Sequence, residues 1–227
     1  MKIKRLLIIP ARLGSKRIKN KNIKKFCGKP IINWSIMTAK KSKLFSKIHV
    51  STESMKIKKI VEKQKIRVDF LRPKKLSNDF VGLIDVYKFV IDKYKKLNFF
   101  FDEVWFLTPC SPLVDYKDLR LSAKFFQKVD GNAFLAVSKF SPPIQWAMEL
   151  KNKKLTFIKK KYSLMRSQDL KEYYFDTGTF GAFKNKVFDR RKIDNLKFHG
   201  YEISKTKGID IDNLDDWNLA EKIATNN

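Results

Sequence analysis

The chain has 227 residues, of which 43% are hydrophobic and 13% aromatic, and it carries a formal net charge of +27. This length suits one domain, residues 1–227, with a core of its own. No stretch approaches the roughly 20 apolar residues of a membrane span, so the sequence predicts no membrane-spanning helix. The basic start Met1–Arg5 precedes an apolar run, Leu6–Pro10, that is too short for a secretory signal, and we therefore expect a cytoplasmic protein.

The cysteines give no sign of a disulfide or metal site, and the distribution of the basic residues disfavours nucleic-acid binding. Cys27 and Cys110 have no CxxC partner or neighbouring histidine, so neither a disulfide framework nor a metal cage is predicted. The 50 lysines and arginines are scattered along the whole chain and do not form one basic tail. This pattern favours a solvated, lysine-rich surface and makes nucleic-acid binding the weaker alternative. In either case the charge would attract an anionic substrate.

Short apolar runs rich in β-branched and aromatic residues alternate with segments of helical period. The predicted strands are Leu6–Pro10, Ile48–Ser51, Val68–Leu71, Val104–Leu107, Phe134–Val137, Thr179–Phe183 and Gly208–Ile211. The predicted helices are Ile31–Lys41, Met55–Lys63, Leu83–Lys95, Asp118–Lys128 and Leu214–Ala224. This alternation predicts an α/β fold with a mostly parallel sheet and helices on both faces. Ligands bind such sheets beyond the carboxyl ends of the strands, so the loops that follow the strands are the candidate binding segments.

The segment Ser141–Tyr174, called the arm below, interrupts this alternation with prolines, charged turns and short apolar pieces. We interpret it as an insertion in the single domain. Its composition leaves open whether it is an extended arm, a lid or a dimer contact.

The loop Ala11–Asn22 follows the first predicted strand and gathers five cations around Gly14. They are Arg12, Lys16, Arg17, Lys19 and Lys21. Such cations, together with the backbone amides near Gly14 and Ser15, can surround a polyphosphate. The loop has neither the GxxxxGK[ST] nor the GxGxxG spacing. A surface loop in a lysine-rich protein is an equally compatible interpretation.

Asp210 and Asp212, in GIDIDNLDDW, lie two residues apart on a predicted strand. Alternation places both carboxylates on one face, where they can hold a hard cation such as Mg²⁺. The alternative is that they form a turn, or that Asp212 caps the last helix. A cationic loop and a dicarboxylate together favour nucleotidyl transfer, because cations neutralise the phosphates and a metal aligns them.

Several segments resemble, in order, the landmarks of the CMP-sialic acid synthetase group of cytidylyltransferases. They are ARLGSKRIKNKNIKKFCGKPIINWSI, STES, FLRPKKLSNDFVG, LTPCSPL and GIDIDNLDDW, and they extend over nearly the whole chain. Two more, SPPIQWAMEL and MRSQDLKEYYFDTGTF, are most similar to the pseudaminic acid cytidylyltransferase branch of this group.

The resemblance implies a Rossmann-like nucleotidyltransferase fold that uses CTP, an acidic nine-carbon sugar and Mg²⁺. It also implies a homodimer in which the arm reaches over the partner's active site. The expected CTP-binding residues are Ala11, Arg12, Gly14, Ser15, Lys16, Lys21, Asn22, Arg72 and Ser111. The expected catalytic residues are Arg12, Lys21, Asp210 and Asp212, the two aspartates being the metal ligands. The expected sugar-binding residues are Gln145, Arg166, Gln168 and Asp176, and an arginine fork suits a sugar carboxylate.

The sequence departs from the group at Leu13, which replaces a frequent glycine, and at Thr108, where sialic acid enzymes tend to have glutamine. FDTGTF also replaces the usual HDAGQF, so the sugar is less firmly predicted than the reaction class. The expected reaction is in-line attack of the sugar's anomeric hydroxyl on the α-phosphorus of CTP, without a covalent enzyme intermediate. His49 and His199 are expected to have structural roles. The alternatives are a sialic, legionaminic or Kdo cytidylyltransferase and, in another class, a non-enzymatic polyanion-binding protein.

Overall fold

The computed structural model describes residues 3–78, 80–189 and 196–226. The strands are β1 (Arg5–Pro10), β2 (Lys25–Phe26), β3 (Lys29–Pro30), β4 (Lys47–Ser51), β5 (Glu103–Leu107), β6 (Ala133–Lys139), β7 (Met148–Lys151), β8 (Lys154–Phe157), β9 (Tyr174–Lys184) and β10 (Phe198–Glu202). The α-helices are α1 (Ile31–Ser42), α2 (Met55–Glu62), α3 (Leu83–Lys96), α4 (Tyr116–Lys128) and α5 (Leu214–Thr225).

A six-stranded sheet forms the centre, in the order β10-β6-β9-β5-β1-β4. Strand β1 pairs in parallel with β4 and β5, and β10 pairs in parallel with β6. Strand β9 runs antiparallel between β5 and β6. The mostly parallel sheet expected from the sequence is therefore confirmed, with β9 as its antiparallel member.

The two faces of the sheet are covered by different helices. Leu7 and Ile9 of β1 pack on one face with the buried sides of α1, α2 and α4. Leu6 and Ile8 point to the other face and pack with Tyr87, Val90 and their neighbours on α3. A continuous apolar run is what a strand buried on both faces requires. The prediction of helices on both faces is confirmed.

Two predicted strands are wrong. Val68–Leu71 does not join the sheet, whose edge on that side is β4. Val68 is buried in the core by packing alone, which gives the same apolar pattern as a strand. Gly208–Ile211 is likewise no strand, because the amide of Gly208 closes a turn onto the carbonyl of Ser204 at 3.1 Å, and Ile211 is buried against α5. Asp210 and Asp212 therefore lie in a loop, and the strand alternation expected to place both carboxylates on one face does not apply to them.

The arm contains the antiparallel hairpin β7–β8 and short 3₁₀ turns. Apolar side chains along it are exposed, among them Leu150 at 69%, Ile158 at 66% and Leu164 at 97%. Across the part of the chain that the structure describes, no helix has both the length and the apolar character needed to cross a bilayer.

Candidate active site

The loop after β1 is folded back on itself by hydrogen bonds from its own polar side chains. The amide of Lys21 donates to the Ser15 hydroxyl at 3.0 Å, and the side-chain amide of Asn22 donates to the carbonyl of Arg12 at 2.8 Å. Asn20 adopts a left-handed conformation, with φ of 54°, just before the 3₁₀ turn Lys21–Ile23. These contacts turn the loop into a compact cationic rim at the carboxyl end of β1.

The neighbouring cysteine helps to fix this loop. The Cys110 thiol donates to the side-chain oxygen of Asn22 over 3.1 Å. Burial raises the pKa of Cys110 to about 12, so the group remains a protonated donor at neutral pH. Asn22 is thereby held from both sides, by Cys110 and by the carbonyl of Arg12.

The segment that carries Asp210 and Asp212 is fixed at both of its ends. Before it, the Lys207 ammonium donates to Asp118 at 2.8 Å and to Asp115 at 3.1 Å, which ties it to the start of α4. After it, Asn213 caps α5 by accepting from the Asp216 amide at 2.9 Å. The helix cap is Asn213, so the alternative role considered for Asp212 is wrong.

A close backbone approach also sets the position of the aspartates. A Cβ on Gly208 would lie 2.7 Å from the Thr177 side chain. Only glycine allows this approach without displacing β9, and Asp210 follows two residues later.

Lys21 joins the cationic loop to the acidic segment. Its ammonium donates to the carbonyl of Ile211 at 2.6 Å and lies 3.4 Å from the Asp212 carboxylate. The Arg17 guanidinium pairs with the other oxygen of Asp212 at 2.6 Å. Partial desolvation raises the pKa of Asp210, and the adjacent Asp212 carboxylate raises it further. Lys21 and Arg17 act in the opposite direction on the pKa of Asp210, so the cations of the loop and the acidic segment interact directly.

A cleft of two adjoining cavities lies where these segments meet. The first, of about 320 Å³, is lined by residues that include Arg12, Lys21, Asn22, Thr108, Ser111 and Asp210. The second, of about 350 Å³, is lined by Arg12, Ser15, Lys16, Arg17, Ile18, Lys21 and Asn22. Arg12, Lys21 and Asn22 line both. The cleft opens at the carboxyl ends of β1 and β5, as expected for a parallel α/β sheet.

Other candidates from the sequence lie outside the lining of these two cavities. Ala11 is buried and Gly14 is exposed. Arg72 is buried and pairs with Glu53 at 3.2 Å. Asp212 contacts Lys21 and Arg17, which do line the cleft.

The candidates for sugar binding are spread over the arm and the start of β9. Gln145 is buried and donates to the carbonyl of Lys171 at 2.7 Å. Arg166 is exposed and pairs with Asp169 at 2.7 Å, and Gln168 beside it is also exposed. Asp176 accepts from the Gly178 amide at 2.9 Å. The single chain does not bring these four side chains into the lining of the cleft.

Two threonines in the cleft were missed in the sequence. Thr177 and Thr179 line the first cavity, and their hydroxyls lie 2.8 Å apart. The predicted strand began only at Thr179, whereas β9 begins at Tyr174. Residues two apart on a strand share a face, so a longer strand assignment would have placed both threonines on the cleft side.

Solved structures of similar fold are nucleotidyltransferases. CMP:2-keto-3-deoxy-manno-octonic acid synthetase, solved in complex with CTP, superposes with a TM-score of 0.73 at 15% identity, over 98% of this chain and 99% of that one. A 4-diphosphocytidyl-2C-methyl-D-erythritol synthase from Anaerococcus prevotii gives a TM-score of 0.62 at 14% identity, over 99% of this chain and 100% of that one. The fold is therefore that of an α/β nucleotidyltransferase.

Sequence comparison identifies the family to which the chain belongs among nucleotidyltransferases. A family model described as cytidylyltransferase matches residues 6–95. The pseudaminic acid cytidylyltransferase of Campylobacter jejuni subsp. jejuni serotype O:2 is 35% identical over 78% of this chain and 77% of the relative. The CMP-N,N'-diacetyllegionaminic acid synthase of Legionella pneumophila is 29% identical over 96% of this chain and 95% of the relative. The chain belongs to the cytidylyltransferase family, in the group that includes these enzymes of acidic sugars.

Proposed function

We propose that this enzyme transfers CMP from CTP to the anomeric hydroxyl of a nonulosonic acid, with pseudaminic acid as the preferred sugar, and releases pyrophosphate. The observation that carries the proposal is the contact of Lys21 with the acidic segment, at 2.6 Å from the Ile211 carbonyl. This contact brings the cations proposed to bind a triphosphate beside Asp210 and Asp212, the proposed metal ligands. A nucleotidyl transfer needs both at the same place.

The chain's own residues supply most of the chemistry in this proposal. Arg12, Lys16 and Lys21 bind the triphosphate and offset the charge that grows on pyrophosphate as it departs. Ser15 and Asn22 hold the loop that presents these cations. No base is assigned. His49 is fully buried and lies on β4, and its Nδ1 is 3.1 Å from the Tyr94 hydroxyl.

Asp210 and Asp212 are the proposed ligands of Mg²⁺. Mg²⁺ commonly takes one or two carboxylates from the protein and completes its octahedral shell with phosphate oxygens and water. Two carboxylates suit that need. Desolvation raises the pKa of Asp210, and the charge of Asp212 raises it further although Lys21 and Arg17 oppose the shift, so a bound cation would favour the ionised form. When bound, the ion would neutralise and align the α-phosphate region of CTP.

The proposed assembly is a homodimer in which the arm completes the partner's sugar pocket. Arg166 and Gln168 are exposed on the arm and outside the lining of their own chain's cleft. Exposed apolar residues of the arm, such as Leu155 at 58% and Leu164 at 97%, would be covered by a second copy. A molar-mass measurement by light scattering tests this assembly, which predicts twice the chain mass. We place the reaction in the cytoplasm.

The proposal is tested by following pyrophosphate release from CTP with Mg²⁺ and a panel of pseudaminic, legionaminic, sialic and Kdo acids. The greatest kcat/KM is expected with pseudaminic acid, consistent with the 35% identity to an enzyme named for that sugar. Release with another acid and none with pseudaminic acid would overturn the substrate and keep the reaction class. No release with any of the sugars would overturn the proposed function.

A further inference from the structure

Glu53 connects the loop Ala11–Asn22, which lines the cleft, with Arg72, which the sequence predicts to bind CTP. It lies two residues after the carboxyl end of β4, the edge strand next to β1. The cleft opens at this same end of the parallel strands. One of the Glu53 carboxylate oxygens, Oε1, accepts from the amide of Leu13 at 2.8 Å. Leu13 belongs to the cationic loop Ala11–Asn22, called the phosphate loop below. The other Glu53 oxygen, Oε2, accepts from the Arg72 guanidinium at 3.2 Å. A single carboxylate therefore bridges the phosphate loop and Arg72.

Arg72 depends on this carboxylate. Its side chain is only 4% exposed, and burial lowers the pKa of its guanidinium, while the Glu53 hydrogen bond and charge oppose that shift. The charge of Arg12 adds to the lowering. A buried cation without a counter-charge is strongly unfavourable. Among the described residues, Glu53 supplies the carboxylate that pairs with Arg72, and the Nε of Arg72 has no hydrogen-bond partner.

We propose that Glu53 is a positioning residue for CTP, which holds Arg72 and the phosphate loop in the relative placement that the nucleotide requires. This inference rests on the proposed function, because it concerns the same cleft. Glu53 needs no contact with the nucleotide for this role. If the two carboxylate oxygens of Glu53 are removed, the Leu13 amide loses its hydrogen-bond acceptor and Arg72 loses its counter-charge. CTP would then have to order both segments as it binds, which weakens its affinity.

Glu53→Gln is the informative variant, since glutamine keeps the size and offers only one acceptor oxygen. Titration with CTP in the absence of sugar should show an affinity about tenfold lower, and KM for CTP should rise in parallel, while kcat changes by less than about threefold. If Glu53 had a purely structural role, Glu53→Gln would lower the melting temperature but would not raise KM for CTP selectively while leaving kcat nearly unchanged.

Glu103→Gln is the matched control. Glu103 also pairs with a buried arginine, Arg5, at 2.7 Å, but at the amino ends of β5 and β1, away from the cleft. This variant should lower the melting temperature and leave CTP affinity unchanged.

A double-mutant cycle shows whether Glu53 acts through Arg72. Glu53→Gln combined with Arg72→Gln should weaken CTP binding by less than the product of the two separate effects. Effects that multiply fully, or a Glu53→Gln affinity within about twofold of the wild type, would overturn the inference. A wild type that binds CTP but turns over no sugar would overturn the proposed function and leave the positioning role standing on the titrations.

Discussion

Replacing Lys21 with methionine separates its contribution to catalysis from its contribution to folding. The side chain is 20% exposed, donates to the Ile211 carbonyl at 2.6 Å and lies 3.4 Å from Asp212. A charge-assisted hydrogen bond contributes about 1.5–3 kcal/mol when well buried, and a partly exposed ion pair about 0–1 kcal/mol. With solvent screening we expect Lys21→Met to lower the free energy of unfolding by about 1–2 kcal/mol. The melting temperature should fall by roughly 2–8 °C.

The expected loss of activity, expressed as a free energy of activation, is larger than the expected loss of free energy of unfolding. A preorganised cation at a developing negative charge accounts for about 10²–10³ in rate, so kcat/KM for CTP should fall by that factor at a temperature where the variant is fully folded. Pyrophosphate release measures the rate, and thermal denaturation measures the stability. Lys19→Met is the control, because Lys19 is an exposed cation of the same loop. If Lys21→Met kept kcat/KM within about threefold of the wild type, the role of Lys21 at the triphosphate would be refuted.

Three further substitutions test the fold that supports the site. Burial lowers the pKa of His49 to about 3. The folded state therefore resists protonation of His49. As the pH falls from about 6.5 towards 3, this group lowers the free energy of unfolding by roughly 3–5 kcal/mol. In His49→Phe the free energy of unfolding should depend less on pH over that range. Gly181→Ala would place a Cβ 2.5 Å from the Phe134 carbonyl oxygen, and denaturant titration should show a loss of about 1–3 kcal/mol. Lys207→Met removes the 2.8 Å ion pair with Asp118, and its melting temperature should fall by about 2–4 °C, with a smaller difference at high salt.

The strands in the core could be predicted from the sequence because their burial on both faces produces continuous apolar runs. The predicted ranges Leu6–Pro10 and Val104–Leu107 both lie within observed strands. The same pattern misled at Val68–Leu71, since Val68 is buried by packing without strand pairing. The apolar character of a segment indicates burial, whereas strand pairing depends on which backbone lies alongside, and the local apolar pattern does not indicate that.

The candidate site was predictable to the extent that its residues are close in sequence or carry charge. One cavity is lined by Arg12, Lys21 and Asp210. The cationic loop and the acidic segment meet there although Lys21 and Ile211 are 190 residues apart in sequence. Glu53 was not singled out, because a lone glutamate after a strand has no distinctive spacing. Its role depends on a long-range contact with the Leu13 amide, which only the fold creates.

In the proposed site the cationic loop and the acid pair act on one triphosphate through a metal ion. Calorimetric titration of CTP with and without Mg²⁺, in the wild type and in Asp210→Asn, measures whether the metal ion links the two. Mg²⁺ should strengthen CTP binding to the wild type, and this gain should disappear in Asp210→Asn. Without Mg²⁺, the variant should bind CTP at least as well as the wild type, since a carboxylate that repels the phosphates is gone. An equal gain from Mg²⁺ in both proteins would show that Asp210 does not hold the metal ion against CTP.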